Sequence, residues 1–135
     1  MLSKLIDRLQ EFFKSEDQEV ELSTPKDSFA KFELSFQDLL IGTLEHQNGR
    51  WSFAYSEAFK AQDQIRPIVD FPDKQKIYQS EGLFPFFSSR IPSLQRLKIQ
   101  KIVAPDFTMD EVGLLKKFGK QSIANPYHLV PGEWF

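Results

Sequence analysis

The sequence predicts an α+β fold: a small, curved antiparallel sheet of meander type, barrel-like in curvature, packed with several short helices and preceded by an amphipathic helix. Three observations predict it. Ala30, Phe32, Leu34 and Phe36 alternate with polar residues, as do Trp51, Phe53 and Tyr55, which is the period of strands buried on one face. Asn48-Gly49 lies between two such runs and is a strong hairpin signal, because both residues accept positive φ. Beyond residue 84 the apolar spacing becomes helical and is punctuated by Pro85, Pro92, Pro105 and Gly119.

Taken in order, Leu2, Leu5, Ile6, Leu9, Phe12 and Phe13 fall at helical spacing over residues 3–14, with Lys4, Asp7, Arg8 and Glu11 on the other face. Its polar face is too poor in basic residues for a membrane surface, so docking on the domain or on another protein is expected. An acidic connector follows, and the chain divides into residues 1–23, helix and connector, and residues 24–135, one globular domain. Gln37-Asp38 turns the first strand into a second over 39–45, in which Gly42 predicts a bulge or a close approach by another group. The third strand, Arg50–Tyr55, pairs with the second. A single helical turn is expected over 56–62, then a short apolar strand over 65–71, which Pro67 confines to an edge or a bend.

Gly82-Leu83-Phe84-Pro85-Phe86-Phe87-Ser88-Ser89-Arg90-Ile91-Pro92-Ser93 is the most distinctive stretch. Pro85 suits a first helical turn and Pro92 cannot continue it, so a two-turn helix over 85–91 is predicted. Such a helix is too short to stand alone in water and must be covered. Phe84 and Phe87 are expected inward, Phe86 and Arg90 toward the surface. Ser93 caps a helix over Leu94–Val103 with Leu94, Leu97 and Ile102 inward. Thr108 and Glu111 fit a capping box ahead of a helix with Val112, Leu115 and Phe118 inward, stopped by Gly119 as a left-handed cap. Residues 127–130 form a last strand that rejoins the sheet.

Composition excludes several function classes. The chain has 135 residues, 41% hydrophobic and 27% charged, with 14 phenylalanines and a formal charge of −2, which disfavours binding to duplex DNA or anionic membranes by charge alone. It has no cysteine, so disulfides, thiolate metal sites and cysteine nucleophiles are absent together. No apolar run approaches the ~20 residues that span a bilayer. Charged residues from Lys4 onward argue against a signal peptide, and a cytoplasmic protein is expected. His46 and His128 cannot fill a zinc site unaided, Asp70 reads as a turn residue, and Ser88-Ser89 has no nucleophile elbow. A non-enzyme without cofactor or metal is expected. Binding residues should then be aromatic or arginine. The candidates are Trp51, Phe84, Phe86, Phe87, Arg90, Trp134 and Phe135. Packing competes with binding for each, and most strongly for Trp51, Phe84 and Phe87.

The order of Leu40-Ile41-Gly42-Thr43-Leu44, Asn48-Gly49-Arg50-Trp51-Ser52-Phe53-Ala54-Tyr55, Arg66-Pro67, Phe84-Pro85-Phe86-Phe87 and Leu129-Val130-Pro131 resembles the N-terminal module of HipA-family serine/threonine kinases. Asp110-Glu111-Val112-Gly113-Leu114-Leu115-Lys116-Lys117-Phe118-Gly119 continues the likeness, and Arg90-Ile91-Pro92 stands where that family usually has Leu-Leu-Pro. The resemblance runs over residues 34–131. No catalytic kinase signature follows before Phe135, so the expectation is a free-standing module, similar to the small antitoxin of three-gene HipBST arrangements. The resemblance implies an antitoxin that binds and inhibits a HipA-type kinase toxin without covalent chemistry, with a helix-turn-helix DNA-binding protein as a possible third component. One alternative is an accessory subunit that completes or activates a split kinase. Another, less favoured, is a sheet whose aromatics stack nucleic-acid bases.

Overall fold

The computed structural model describes residue 25 and residues 27–132. The helix expected over residues 3–14 and its connector, with Trp134 and Phe135, lie outside the described residues. The architecture is α+β, in the order β1 (Ala30–Phe36), β2 (Leu39–Gln47), β3 (Arg50–Tyr55), α1 (Glu57–Lys60), β4 (Tyr78–Ser80), α2 (Pro85–Ser88), α3 (Leu94–Val103), α4 (Glu111–Phe118) and β5 (His128–Pro131). The five strands form one open antiparallel sheet, ordered β4-β3-β2-β1-β5.

Two tight turns build the meander. Gln37 adopts φ 52° in the first, and Asn48 and Gly49 adopt φ 54° and 76° in the second, the positive-φ pair of a right-twisting hairpin. The register then sets Phe32 opposite Leu44, Leu44 opposite Phe53, and His46 opposite Trp51. One face of the sheet therefore carries Phe32, Leu34, Leu44, Trp51, Phe53 and Tyr55, all buried. Both readings of Gly42 hold. Leu34 faces Gly42 while Ser35 faces Leu40, so Ile41 is an extra, bulged residue of β2. A Cβ on Gly42 would lie 2.6 Å from the Ala54 carbonyl oxygen and 2.7 Å from the Phe53 ring.

The helices cover this aromatic face. Ser56 caps α1 by accepting from the Phe59 amide, and the Phe59 ring stacks on Tyr55 at 4.6 Å. Phe87 of α2 packs on Phe53 at 5.6 Å. A smaller satellite core, Leu97, Phe107 and Leu114, joins α3 to α4.

Three local expectations are corrected. Residues 65–71 are not a strand, because Pro67 lacks an amide and the Ile68 amide is taken by the Tyr55 hydroxyl at 2.9 Å. The sheet's edge is instead β4, only three residues long and without apolar alternation. The α4 cap is Asp110 rather than Thr108: its Oδ1 accepts from the Gly113 amide at 2.7 Å, and Thr108 Oγ1 donates to that carboxylate at 3.3 Å. An ionised carboxylate beside the helix start is the stronger acceptor for an orphan amide. Gly119 has φ −78° and ψ −10°, so the helix ends without a left-handed residue.

Tyr55 is the pin of the 65–71 segment. Its hydroxyl accepts from the Ile68 amide and donates to the Phe71 carbonyl at 2.6 Å, and burial pushes its pKa up to about 12. A raised pKa means that the folded state favours the neutral phenol. Stability from this group is full below the free tyrosine value near 10 and declines as pH rises toward 12. Tyr55→Phe is expected to cost about 1–3 kcal/mol in urea unfolding at pH 7, since it strands a buried amide. The variant should also lose part of the wild-type decline in stability between pH 10 and 12. Gly42→Ala is expected to destabilise by about 1–3 kcal/mol in the same measurement, because backbone and a core ring occupy the space.

Candidate partner-binding surface

The aromatic stretch folds into α2, a helix of one turn. Pro85 occupies its first position, and Phe84 precedes it with no side-chain cap. Consecutive phenylalanines on so short a helix cannot all point one way. Phe87 is fully buried, while Phe84 and Phe86 are half-buried on either side. All three converge on Phe71, with ring centroids 5.2 Å away for Phe84, 6.2 Å for Phe86 and 6.1 Å for Phe87. Phe71 also stacks on Phe53 at 4.6 Å. The loop over 65–71 is thereby drawn onto the sheet by its last residue.

Between that loop and α2 lies a groove of about 610 Å³. Pro85, Phe86 and Ser89 of α2 and its C-terminal turn form one side, residues 65–70 a second, and Ala124, Asn125 and Tyr127 a third. Phe86 packs on Tyr127 at 6.1 Å, closing the inner end with two rings. Val69 stands at the rim with 91% of its surface exposed. Arg66 and Asp70 flank it, also exposed, and neither side chain has an ion-pair partner among the described residues. Apolar groove, exposed aliphatic rim and unpaired charges on either side make this the candidate binding surface.

Arg90 holds the third wall. Sequence reasoning sets it at the surface; the structure buries it, with 6% exposed. Nη1 donates to the carbonyls of Gly119 at 2.9 Å and Lys120 at 3.4 Å, and Nη2 to Asn125 Oδ1 at 2.7 Å and the Tyr127 carbonyl at 3.0 Å. The guanidinium also lies 5.8 Å from the Phe86 ring centroid. Burial lowers its pKa, and among the described residues no carboxylate is bonded to it. It thus closes the end of α4 and orients the strand entering β5, the duties expected of Gly119 as a cap.

The other predicted binding residues fall in different places. Trp51 is fully buried, edge-on to the His46 ring at 4.8 Å, and its Nε1 has no hydrogen-bond partner among the described residues. His46 is itself a packing residue whose Nδ1 meets the Ser28 carbonyl at 2.8 Å. The structure therefore brings Phe86 alone of the predicted residues onto the groove, packs Phe84 and Phe87 around Phe71 and Arg90 behind the wall, and leaves Trp51 on the sheet's inner face. Sequence reasoning missed Val69 and the wall residues Asn125 and Tyr127. The signal for Val69 was present: an apolar residue after Ile68 and before Asp70, in a segment that Pro67 already removes from regular pairing. Among the described residues no carboxylate is buried, and no group of three or more His, Cys, Asp and Glu is placed to hold a metal ion. Nor is any helix of the described residues long and apolar enough to cross a membrane.

Arg90→Met keeps most of the volume and removes every donor. It is expected to lower stability by roughly 3–5 kcal/mol, because three carbonyls lose their donor at once. Equilibrium unfolding in urea measures it, and Arg90→Lys should recover only part of the loss.

The family model described as the HipA N-terminal domain matches residues 32–124, from β1 through all four helices to the groove's third wall. No curated protein matches the chain. The matched module is not the catalytic domain of the kinase. The matched span takes in most of β1, strands β2 to β4, the Phe-rich helix and the α3–α4 pair, with β5 beyond it, and by that match the chain belongs to the HipA N-terminal domain family.

Proposed function

We propose that this chain is an inhibitory binding protein, an antitoxin that holds a HipA-type serine/threonine kinase inactive through non-covalent contact at the groove between α2 and the 65–70 loop. The observation that carries the reading is the match of residues 32–124 to a module that is not itself the catalytic domain of a kinase. A module of this kind acts by what it touches. The groove supplies the physical support: Phe86 lines it, Arg90 fixes its Asn125–Tyr127 wall from behind, and Val69 offers an exposed apolar anchor. A stable complex of this sort buries on the order of 1,600 Å² in total. The helix-turn-helix protein of the three-gene arrangement fits as a further component that contacts DNA on behalf of the assembly, since the chain's own charge is −2.

The test pairs the purified chain with its cognate HipA-type kinase at equal amounts and follows autophosphorylation and growth arrest. Both are expected to fall. A rise in either makes the chain an activating subunit, and no change together with no complex on a sizing column refutes the reading. Val69→Asp, which alters a side chain that supports no packing, is expected to weaken the complex at least tenfold by calorimetry while leaving the thermal midpoint nearly unchanged.

A further inference from the structure

A second hollow, of about 690 Å³, lies between the start of α3 and the segment around 118–124. The two hollows share Ser89 and Ala124, so they are neighbours across a single ridge. Beyond the ridge stand Ile123, wholly exposed, and Arg96 on the first turns of α3. Helical spacing carries the same stripe onward through Ile99 and Val103, which are 43% and 65% exposed, while Leu97 on the opposite side is fully buried. α3 is therefore apolar on two sides, only one of which the domain uses. Single exposed aliphatics are ordinary, but two on one helix face, with Ile123 beside Arg96 in the hollow at that helix's start and Val69 across the ridge, form a patch.

The charges on this helix are one-signed. α3 contains Arg96, Lys98 and Lys101 and no carboxylate, in a chain whose net charge is −2. Lys101 spends its ammonium on the carbonyls of Pro105 and Phe107. The Arg96 guanidinium has no partner among the described residues. Arg66 on the first groove is in the same condition, so each hollow has one unpaired guanidinium on its border.

We infer that Arg96, Ile99, Val103 and Ile123 form the second half of the partner contact and take an amphipathic helix of the kinase that carries carboxylates beside its apolar face. The inference rests on the kinase-binding reading above. Aliphatic anchors at i and i+4 with a cation one turn earlier match the way one helix lies along another. The carboxylates follow from charge complementarity with a face that has no acid of its own. Continuity with the first groove matters as well, since a single hollow rimmed by Val69 is small against the ~800 Å² each partner commits in a stable complex. Nucleic acid is a poorer occupant, because one free guanidinium on the stripe falls far short of the roughly 6–10 phosphate contacts of a charge-driven complex.

Calorimetry of the full chain with the cognate kinase tests this with Arg96→Glu, the double variant Val103→Asp/Ile123→Asp, and Val69→Asp. All four changes are at exposed positions, and circular dichroism verifies the fold of each variant. The stripe variants are expected to weaken binding at least tenfold. Affinity of the wild type should also fall between 50 and 300 mM salt more steeply than that of Arg96→Glu. Wild-type affinity in both stripe variants, with Val69→Asp impaired, overturns this inference and leaves the kinase-binding reading intact. No complex with the wild-type chain overturns both. A labelled duplex of about 20 base pairs bound by the wild type and released by Arg96→Glu overturns the inference in favour of nucleic acid.

Discussion

A buried guanidinium without a carboxylate is the constraint on which the C-terminal half depends. Arg90 meets three backbone carbonyls and one amide oxygen, all neutral. Arginine suits this place better than lysine does: its charge is delocalised and weakly hydrated, and its planar fork meets several acceptors at once. Desolvation still opposes the charge, which lowers the pKa, and Nε has no partner among the described residues. The arrangement persists because removing the fork would orphan carbonyls at the end of α4 and at the entry to β5 together. One side chain thus ties the Phe-rich turn to segments 29 to 37 residues further along the chain.

The exposure of Val69 follows from the same kind of over-determination. Ile68 and Phe71 are both turned inward, and the Phe71 amide closes a tight turn onto the Ile68 carbonyl at 2.8 Å. Two residues inside such a turn have no inward direction available to them. Val69 and Asp70 are therefore exposed by the geometry of their neighbours, and Tyr55 holds that geometry from below through both ends of the turn. An exposed aliphatic residue on a pinned loop differs from one on a mobile loop, because little conformational entropy is lost when a partner covers it.

What could be read in the sequence was local. Strand alternation, the Asn48-Gly49 turn, the bulge at Gly42, the Ser93 cap and the burial of Phe87 all express interactions within a few residues or a single periodicity. The fold class and the family resemblance were legible for that reason, and the match over residues 32–124 covers most of the expected 34–131, with Leu129-Val130-Pro131 outside it. The misreadings share the opposite cause. Arg90 looks like a helix-end cation until acceptors from the 119–127 segment are brought to it. Residues 65–71 look like a strand because Ile65, Ile68 and Val69 are apolar, yet a hydroxyl from β3 takes the amide that a strand would need. Gly119 looks like a left-handed cap because its carbonyl's partner is invisible in the sequence. The groove was legible in one of its three walls, the aromatic one.

Rigidity bears on which kind of regulator this body can be. Beneath the groove lies an interlocked set of rings around Phe71, one wall is held by Tyr55 and another by Arg90. None of these supports is at the rim, so a partner can engage Val69 and the stripe on α3 without disturbing the core. Association then costs chiefly the loss of translational and rotational freedom, and the ordering cost falls on the partner. A preformed surface of this kind favours one conformation of whatever it binds, and its effect on activity is set by which conformation that is. For a kinase, whose catalytic parts must all be in place together, most conformations that a rigid neighbour can select leave at least one part displaced. Under the proposed reading, tight binding by such a surface is therefore expected to inhibit the kinase.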